Sequence, residues 1–197
     1  MELSELDLLR RAAAGDGQAF AELMEERQHA IYALALRMMG SRDDASDMAQ
    51  EALLRIYRNL GSFRAEANFS TWVYRVTANV CLDELRRRAR RKENSLDLLR
   101  DEGFEPDSYA PSPEGAVLER ERAEELQLAV ASLPPEQRAA IVLRDMQGLS
   151  YEEAAQALNV GLNTLKSRLF RGRRLLRGIL SAGEEPFVEK RGLNSQG

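Results

Sequence analysis

The sequence predicts an all-α protein made of two small helical domains joined by an acidic, proline-containing linker. Three observations predict it. Leu, Ala, Arg and Glu dominate the 197 residues while β-branched residues are sparse, which favours helix over strand. Apolar residues recur at helical spacing on both sides of a segment, 93–113, that holds Pro106, Pro111 and Pro113 among acids. Charge is also strongly partitioned, although the whole chain carries only −4. Residues 61–92 sum to +5 (eight basic, three acidic), 93–125 to −8 (three basic, eleven acidic) and 163–178 to +6 (six basic, no acid). Two basic islands separated by acid suggest two anion-binding surfaces on a chain that otherwise repels polyanions.

The first domain spans 1–92. Ser4 followed by an apolar-periodic run to Ala14, then Gly15, reads as a short helix. A long helix is expected from about Gly17 to Met39, with Phe20, Leu23, Met24, Ile31, Leu34 and Met38 at helical spacing and Gly40 as the stop. Asp43 or Asp44 caps a third helix that runs to about Asn59 and ends at Gly61. A fourth runs from near Ser70 to the cluster RRRARRK, burying the stripe Phe69, Trp72, Val73, Val76 and Val80. The linker, 93–113, has no core of its own.

The second domain, 114–180, carries three closely connected helices at about 135–146, 151–158 and 164–179, before a tail, 181–197, expected to be frayed or disordered. SYEE at 150–153 is a capping box, with Ser150 as N-cap and Glu153 reaching back. Asn159 suits the left-handed stop of that short helix, and Asn163 or Thr164 caps the basic helix that follows. Short helix, tight turn and basic helix form a helix-turn-helix pattern. On a helical wheel, Leu165, Leu169, Gly172 and Leu176 face the core. Ser167, Phe170, Arg171 and Arg174 lie opposite, with Thr164 beside them and Lys166, Arg168 and Arg173 on the flanks. Hydroxyls and guanidiniums on that face suit major-groove bases, the flanking bases suit phosphates, and Phe170 suits a thymine methyl. The caps, the turn and the absence of acid favour DNA reading over a merely solvated basic helix.

The amino-terminal half is less explicit. Asp47, Gln50 and Glu51 share one helix face by i, i+3, i+4 spacing, either a solvated face or a patch for a basic partner. NFSTWVYRVTANVCLDELRRRARR sets aromatics and an Asn beside a basic terminus, as core plus solvent or as a single-strand-binding surface. Trp72 lies on the apolar stripe, which favours core over base stacking.

Three blocks together, DDASDMAQEALLRIYRNLGSF, FSTWVYRVTANVCLDELRRR and LPPEQRAAIVLRDMQGLSYEEAAQALNVGLNTLKSRLFRGRRLL, resemble the extracytoplasmic-function sigma factors of bacterial RNA polymerase, group IV of the sigma-70 family. The likeness covers about residues 5–178. It implies a non-catalytic factor that binds core polymerase, recognises −35 and −10 promoter elements and helps melt the start site. It implies that Asp47, Gln50, Glu51 and Leu54 grip the β′ clamp helices of a core enzyme whose β subunit is also contacted. Trp72, Arg75, Asn79, Asp83 and Arg86, in a stretch with Phe69 and Tyr74, meet the −10 element, Asn79 taking up a flipped base. Thr164, Lys166, Ser167, Arg168, Phe170, Arg171 and Arg174 read the −35 element. The acidic linker threads the RNA path, and an anti-sigma factor sequesters the protein. Gly161 and Asn163 stand where family members often carry Pro and Gly, so the first amides of the recognition helix are capped differently.

The alternative is an autonomous operator-binding regulator, which needs a dimerisation helix or a ligand domain; neither is apparent. Enzyme chemistry finds no support: His29 is the single histidine, no metal-ligand spacing, Walker loop or nucleophile elbow is present, and no cofactor is expected. Cys81 stands alone, which rules out an intrachain disulfide and a Cys-rich zinc site. With no membrane-length apolar run and no signal-peptide pattern, a reduced, cytoplasmic setting without membrane insertion is expected.

Overall fold

The computed structural model describes residues 5–63, 68–94 and 114–183, and every regular element among them is helical. Helices α1 (Glu5–Ala13), α2 (Gly17–Glu25), α3 (Gln28–Met39), α4 (Arg42–Asn59) and α5 (Phe69–Asn94) form the first bundle, with a 3-10 turn over Leu60–Ser62. Helices α6 (Glu114–Ala131), α7 (Pro135–Ile141), α8 (Tyr151–Ala157) and α9 (Leu162–Gly183) form the second. The expected linker lies outside the described residues from 95 onward, and the expected tail from 184 onward.

In the first bundle α3 and α4 pack side by side because α4 presents Ala45, Ala49 and Ala52 on one face, at i, i+4 and i+7. Small side chains let the axes approach and leave room for Ile31, Leu34 and Met38 of α3, all fully buried. Helix α5 closes the bundle with Phe69, Trp72, Val73, Val80 and Cys81. Phe63, Phe69 and Trp72 form an aromatic cluster with ring centroids 5.1–5.8 Å apart. Burial pushes the Cys81 thiol up to about 12. Thr77, also buried, donates its hydroxyl to the Val73 carbonyl at 2.9 Å, so no polar group is stranded there.

The single long helix expected over 17–39 is two helices. The chain breaks at Glu26–Arg27, where no glycine or proline marks a stop. Arg27 makes the corner: its guanidinium donates to the Leu23 carbonyl and to Glu5 of α1, each at 2.8 Å, and lies 5.2 Å from the centre of the Phe69 ring. Ser41 rather than either aspartate caps α4, while Asp43 and Asp44 occupy its first turn, where the helix dipole favours acid. Asn68 opens α5 by accepting from the amide of Ser70 at 2.9 Å.

In the second bundle α7 and α9 cross at Gly172, where a Cβ would stand 3.0 Å from Cγ1 of Ile141. The residues after α7, Val142–Met146, widen into a π turn, with the Gln147 amide bonding the Val142 carbonyl at 2.9 Å. Arg173 of α9 forks onto Asp145 of that turn at 2.6 and 2.9 Å, and Arg144 lies over the Tyr151 ring at 4.8 Å.

The two bundles share a continuous core. Gly40 ends α3 in the left-handed conformation (φ +82°), and a Cβ there would come within 3.1 Å of Ala131 Cβ at the end of α6. The terminal carbonyls of α3 are capped from the second bundle. Gln127 donates to the carbonyls of Leu36 and Arg37 at 3.1 and 3.3 Å. Arg138 of α7, itself buried, donates to the Met38 carbonyl at 2.6 Å and to those of Ala131 and Leu133 in its own bundle.

Candidate nucleic-acid interface

Helices α8 and α9 are set by local chemistry. Ser150 and Glu153 form the reciprocal capping box, the Ser150 amide bonding the Glu153 carboxylate at 2.8 Å and the Glu153 amide bonding Ser150 Oγ at 3.1 Å. Asn159 takes the left-handed conformation (φ 51°), and the Val160 amide returns to the Ala155 carbonyl at 3.0 Å. The next helix starts earlier than expected, at Leu162, with the Gly161 carbonyl accepting from the Leu165 amide at 3.0 Å. Asn163 and Thr164 therefore lie inside its first turn and are not its cap. The physical reason is that the turn is completed at Asn159–Val160, and glycine serves well before a first turn.

Leu165 and Leu169 are buried, as is Gly172, while Leu176 is half-buried. Thr164, Lys166, Phe170, Arg171 and Arg174 are exposed, and Ser167 and Arg168 are half-exposed. Phe170 is 68% exposed, an unusual position for a phenyl ring that has no partner to cover it. Arg171 Nη2 donates to Ser167 Oγ at 2.7 Å, which orders the guanidinium on the outer face before any ligand arrives. Arg173 sits differently. Its hydrogen bonds to Asp145 raise its pKa against the opposing effect of burial, and they commit it to holding α9 on the π turn.

On α5, Trp72, Arg75, Asn79, Asp83 and Arg86 form one stripe down the helix. Trp72 is buried in the aromatic cluster, Arg75 and Asn79 are half-buried, and Asp83 and Arg86 are exposed. Trp72 and Arg75 also line a small pocket with Thr71 of α5 and with Gln156 and Ala157 of α8. Arg87 forks onto Glu84 at 2.6 and 2.8 Å, and Arg88 donates once to Glu84 at 2.8 Å while forking onto Asp44 of α4 at 2.6 and 2.7 Å. Much of the arginine cluster is thus internally compensated, which leaves Arg90 and Arg91 exposed at the end of the helix.

On α4, Asp47, Gln50 and Leu54 are exposed and Glu51 half-exposed, bonded to Arg55 at 2.7 Å. Arg55 also reaches Asp83 of α5 at 3.4 Å, so it links the acidic patch to the α5 stripe. Sequence reasoning passed over Arg55 and over Tyr57, which is 42% exposed one turn beyond Leu54 and packs edge-on to Phe20 at 4.9 Å. The i+3 step from Leu54 was the available signal for Tyr57; none existed for the Arg55–Asp83 link, which joins two helices.

Residues 23–91 match the family model for sigma-70 region 2, and residues 123–176 match that for sigma-70 region 4. The chain is 40% identical over 172 residues to the ECF RNA polymerase sigma factor SigE of Mycolicibacterium smegmatis, covering 86% of this chain and 65% of that longer protein. It is 36% identical over 176 residues to the ECF RNA polymerase sigma-E factor of Escherichia coli, covering 87% of this chain and 92% of that one. The chain belongs to the ECF sigma factors. As a sigma factor it binds core RNA polymerase and promoter DNA through its region 2 and region 4 parts, and it contributes no catalysis of its own. That membership sets aside the autonomous operator-binding regulator.

Two solved structures share the fold. The sigma factor RpoE of Bartonella quintana, in complex with the anti-sigma factor NepR, matches with TM-score 0.63 and 25% identity over 82% of this chain and 96% of that one. CnrH in complex with the cytosolic domain of CnrY matches with TM-score 0.60 and 26% identity over 89% of this chain and 96% of that one. These complexes correct the plain cytoplasmic setting expected from the sequence. Both neighbours are held by partner proteins, in one case by the cytosolic domain of CnrY. Among the described residues, no helix is long and apolar enough to cross a membrane.

Proposed function

We propose that this ECF sigma factor divides its work among three surfaces. Asp47, Gln50, Glu51 and Leu54 dock on the β′ clamp helices of core polymerase. Arg75, Asn79, Asp83 and Arg86, backed by Trp72, receive the −10 element. Thr164, Ser167, Phe170, Arg171 and Arg174 read the −35 element from the major groove, with Lys166 and Arg168 on its phosphates. The observation that carries the reading is α9, whose outer face combines exposed Phe170 with an Arg171 already ordered by Ser167. Its inner face is fixed by Leu165, Leu169 and Gly172. A first unit over 1–92, a linker over 93–113 and a second unit over 114–180 fit this division, with the segment 181–197 outside it. An anti-sigma protein is the expected inhibitory partner, as it is for the Bartonella factor.

Run-off transcription with core polymerase tests the assignment. Arg171→Ala is expected to weaken promoter use by about 1–3 kcal/mol of base discrimination while leaving core binding intact. Substituting Gln50 and Glu51 together is expected to lose core binding in a pull-down while the isolated factor keeps its fold. Normal transcription by Arg171→Ala, together with unchanged core capture by the α4 variant, refutes the division.

A further inference from the structure

One guanidinium stands between two of the three surfaces. Glu51 and Arg55 are one turn apart on α4, and Arg55 Nε donates to the Glu51 carboxylate at 2.7 Å. From the same place Arg55 Nη1 reaches the Asp83 carboxylate of α5 at 3.4 Å, near the far limit of a hydrogen bond. The bond to Glu51, ahead of the one to Asp83, holds the Arg55 pKa above its ordinary value against the opposing effect of burial. Arg55 is therefore committed to Glu51 and only loosely to Asp83.

The two acids belong to different tasks. Glu51 lies in the acidic patch of α4, whereas Asp83 lies on the α5 stripe, one turn beyond Asn79 and just before Arg86. A carboxylate on a face that receives a nucleic-acid strand repels the phosphates unless a cation compensates it. Arg86 compensates it weakly, since its Nη1 stands 3.9 Å from Asp83 while its Nε donates to Glu136 at 3.1 Å. Arg55 is nearer, but Glu51 holds the better share of it.

Glu51 and Asp83 thus compete for one guanidinium, and that competition is a two-state element which either surface can bias. A cation on the polymerase that engages Glu51 takes away the stronger of the two acceptors. The guanidinium then turns to Asp83, and the acid on the α5 stripe is screened at the moment a strand has to be held. Linkage gives the converse: a strand that favours the Asp83-paired state leaves Glu51 freer for the polymerase.

We propose that Arg55 is a positioning residue that couples core docking to −10 recognition, passing from Glu51 to Asp83 when the polymerase engages the α4 patch. The coupling rests on the assignment of both surfaces above and adds a residue that belongs to neither.

Two affinities of the full chain test it by fluorescence anisotropy. One is that of the factor for core polymerase without DNA. The other is that of the holoenzyme for the −10 non-template strand of a promoter it transcribes. Arg55→Gln is expected to bind core about threefold more tightly, because Glu51 loses its internal competitor. Its holoenzyme is expected to bind the strand about threefold more weakly, again the scale of one exposed ion pair. Gain in one and loss in the other distinguishes coupling from a structural role, since a loosened fold weakens both. Asp83→Asn removes the charge that Arg55 screens, so in that background Arg55→Gln is expected to leave strand affinity unchanged while still tightening core binding. Glu51→Gln, expected to weaken core binding, and Asn79→Ala, expected to weaken strand binding, check the surfaces themselves. With both of these as expected, three results overturn the coupling alone: core binding by Arg55→Gln that is unchanged or weaker, unaltered strand affinity, or an equal strand loss in the Asp83→Asn background. Failure of either surface check overturns the surface assignments and the coupling with them.

Discussion

Glu84 illustrates how single side chains in α5 are tuned. Burial raises its carboxyl, yet the hydrogen bonds from Arg88 and Arg87 outweigh burial and leave it below its ordinary value of about 4.5. A depressed folded pKa contributes stability that is complete above the unfolded value and disappears as pH falls through the folded one. Glu84→Gln is therefore expected to cost about 1 kcal/mol near neutrality, after allowing for the solvent around both arginines. The variant should also show a shallower loss of Tm than wild type below about pH 4.5, measured by thermal melts across an acid series. A parallel loss in both proteins would mean that the arginines do not hold this acid. Arg88 has a second carboxylate in Asp44, so removing Glu84 leaves the α4–α5 link in place.

The elements of the helix-turn-helix were legible because each is decided within a few residues. SYEE reads as a capping box, Asn159 as a left-handed stop, and the alternation of leucines with bases as a two-faced helix. Ser150→Ala removes one of the two reciprocal bonds and is expected to cost about 1 kcal/mol of stability in denaturant unfolding. Gly172→Val pushes a branched side chain into Ile141 and is expected to cost about 1–3 kcal/mol and to loosen α9. No change in either would show that these local features do not position the basic helix. The break between α2 and α3 was not legible, since it depends on Arg27 reaching Leu23, Glu5 and Phe69, partners supplied by tertiary packing. Its sequence, EERQHA, lacks an apolar residue at any position where the stripe would have betrayed the change of axis. The start of α9 was not legible for the same kind of reason: Gly161 supplies a backbone carbonyl, which carries no side-chain signature.

At the scale of the molecule, an overall charge of −4 surrounds an α9 stretch of +6. Binding of the free chain to duplex DNA should be weak and steeply dependent on salt, because the gain is counterion release and the acidic remainder opposes it. Lys166→Ala is expected to reduce the slope of log affinity against log salt by about 1, read by fluorescence anisotropy, without altering base preference. An unchanged slope would remove Lys166 from the phosphate contacts. Partition into two helical bundles followed from charge and periodicity alone, whereas the seam between them did not. Arg138 and Gln127 match no motif and gain their meaning only when the carbonyls ending α3 arrive beside them.

The sole thiol of the chain lies sealed inside the α5 bundle and keeps its proton at any physiological pH. Alkylating reagents and peroxide can reach it only when that bundle opens, so the rate of Cys81 modification counts opening events. A factor handled through its exposed faces thus carries an internal tally of how often its own interior comes apart.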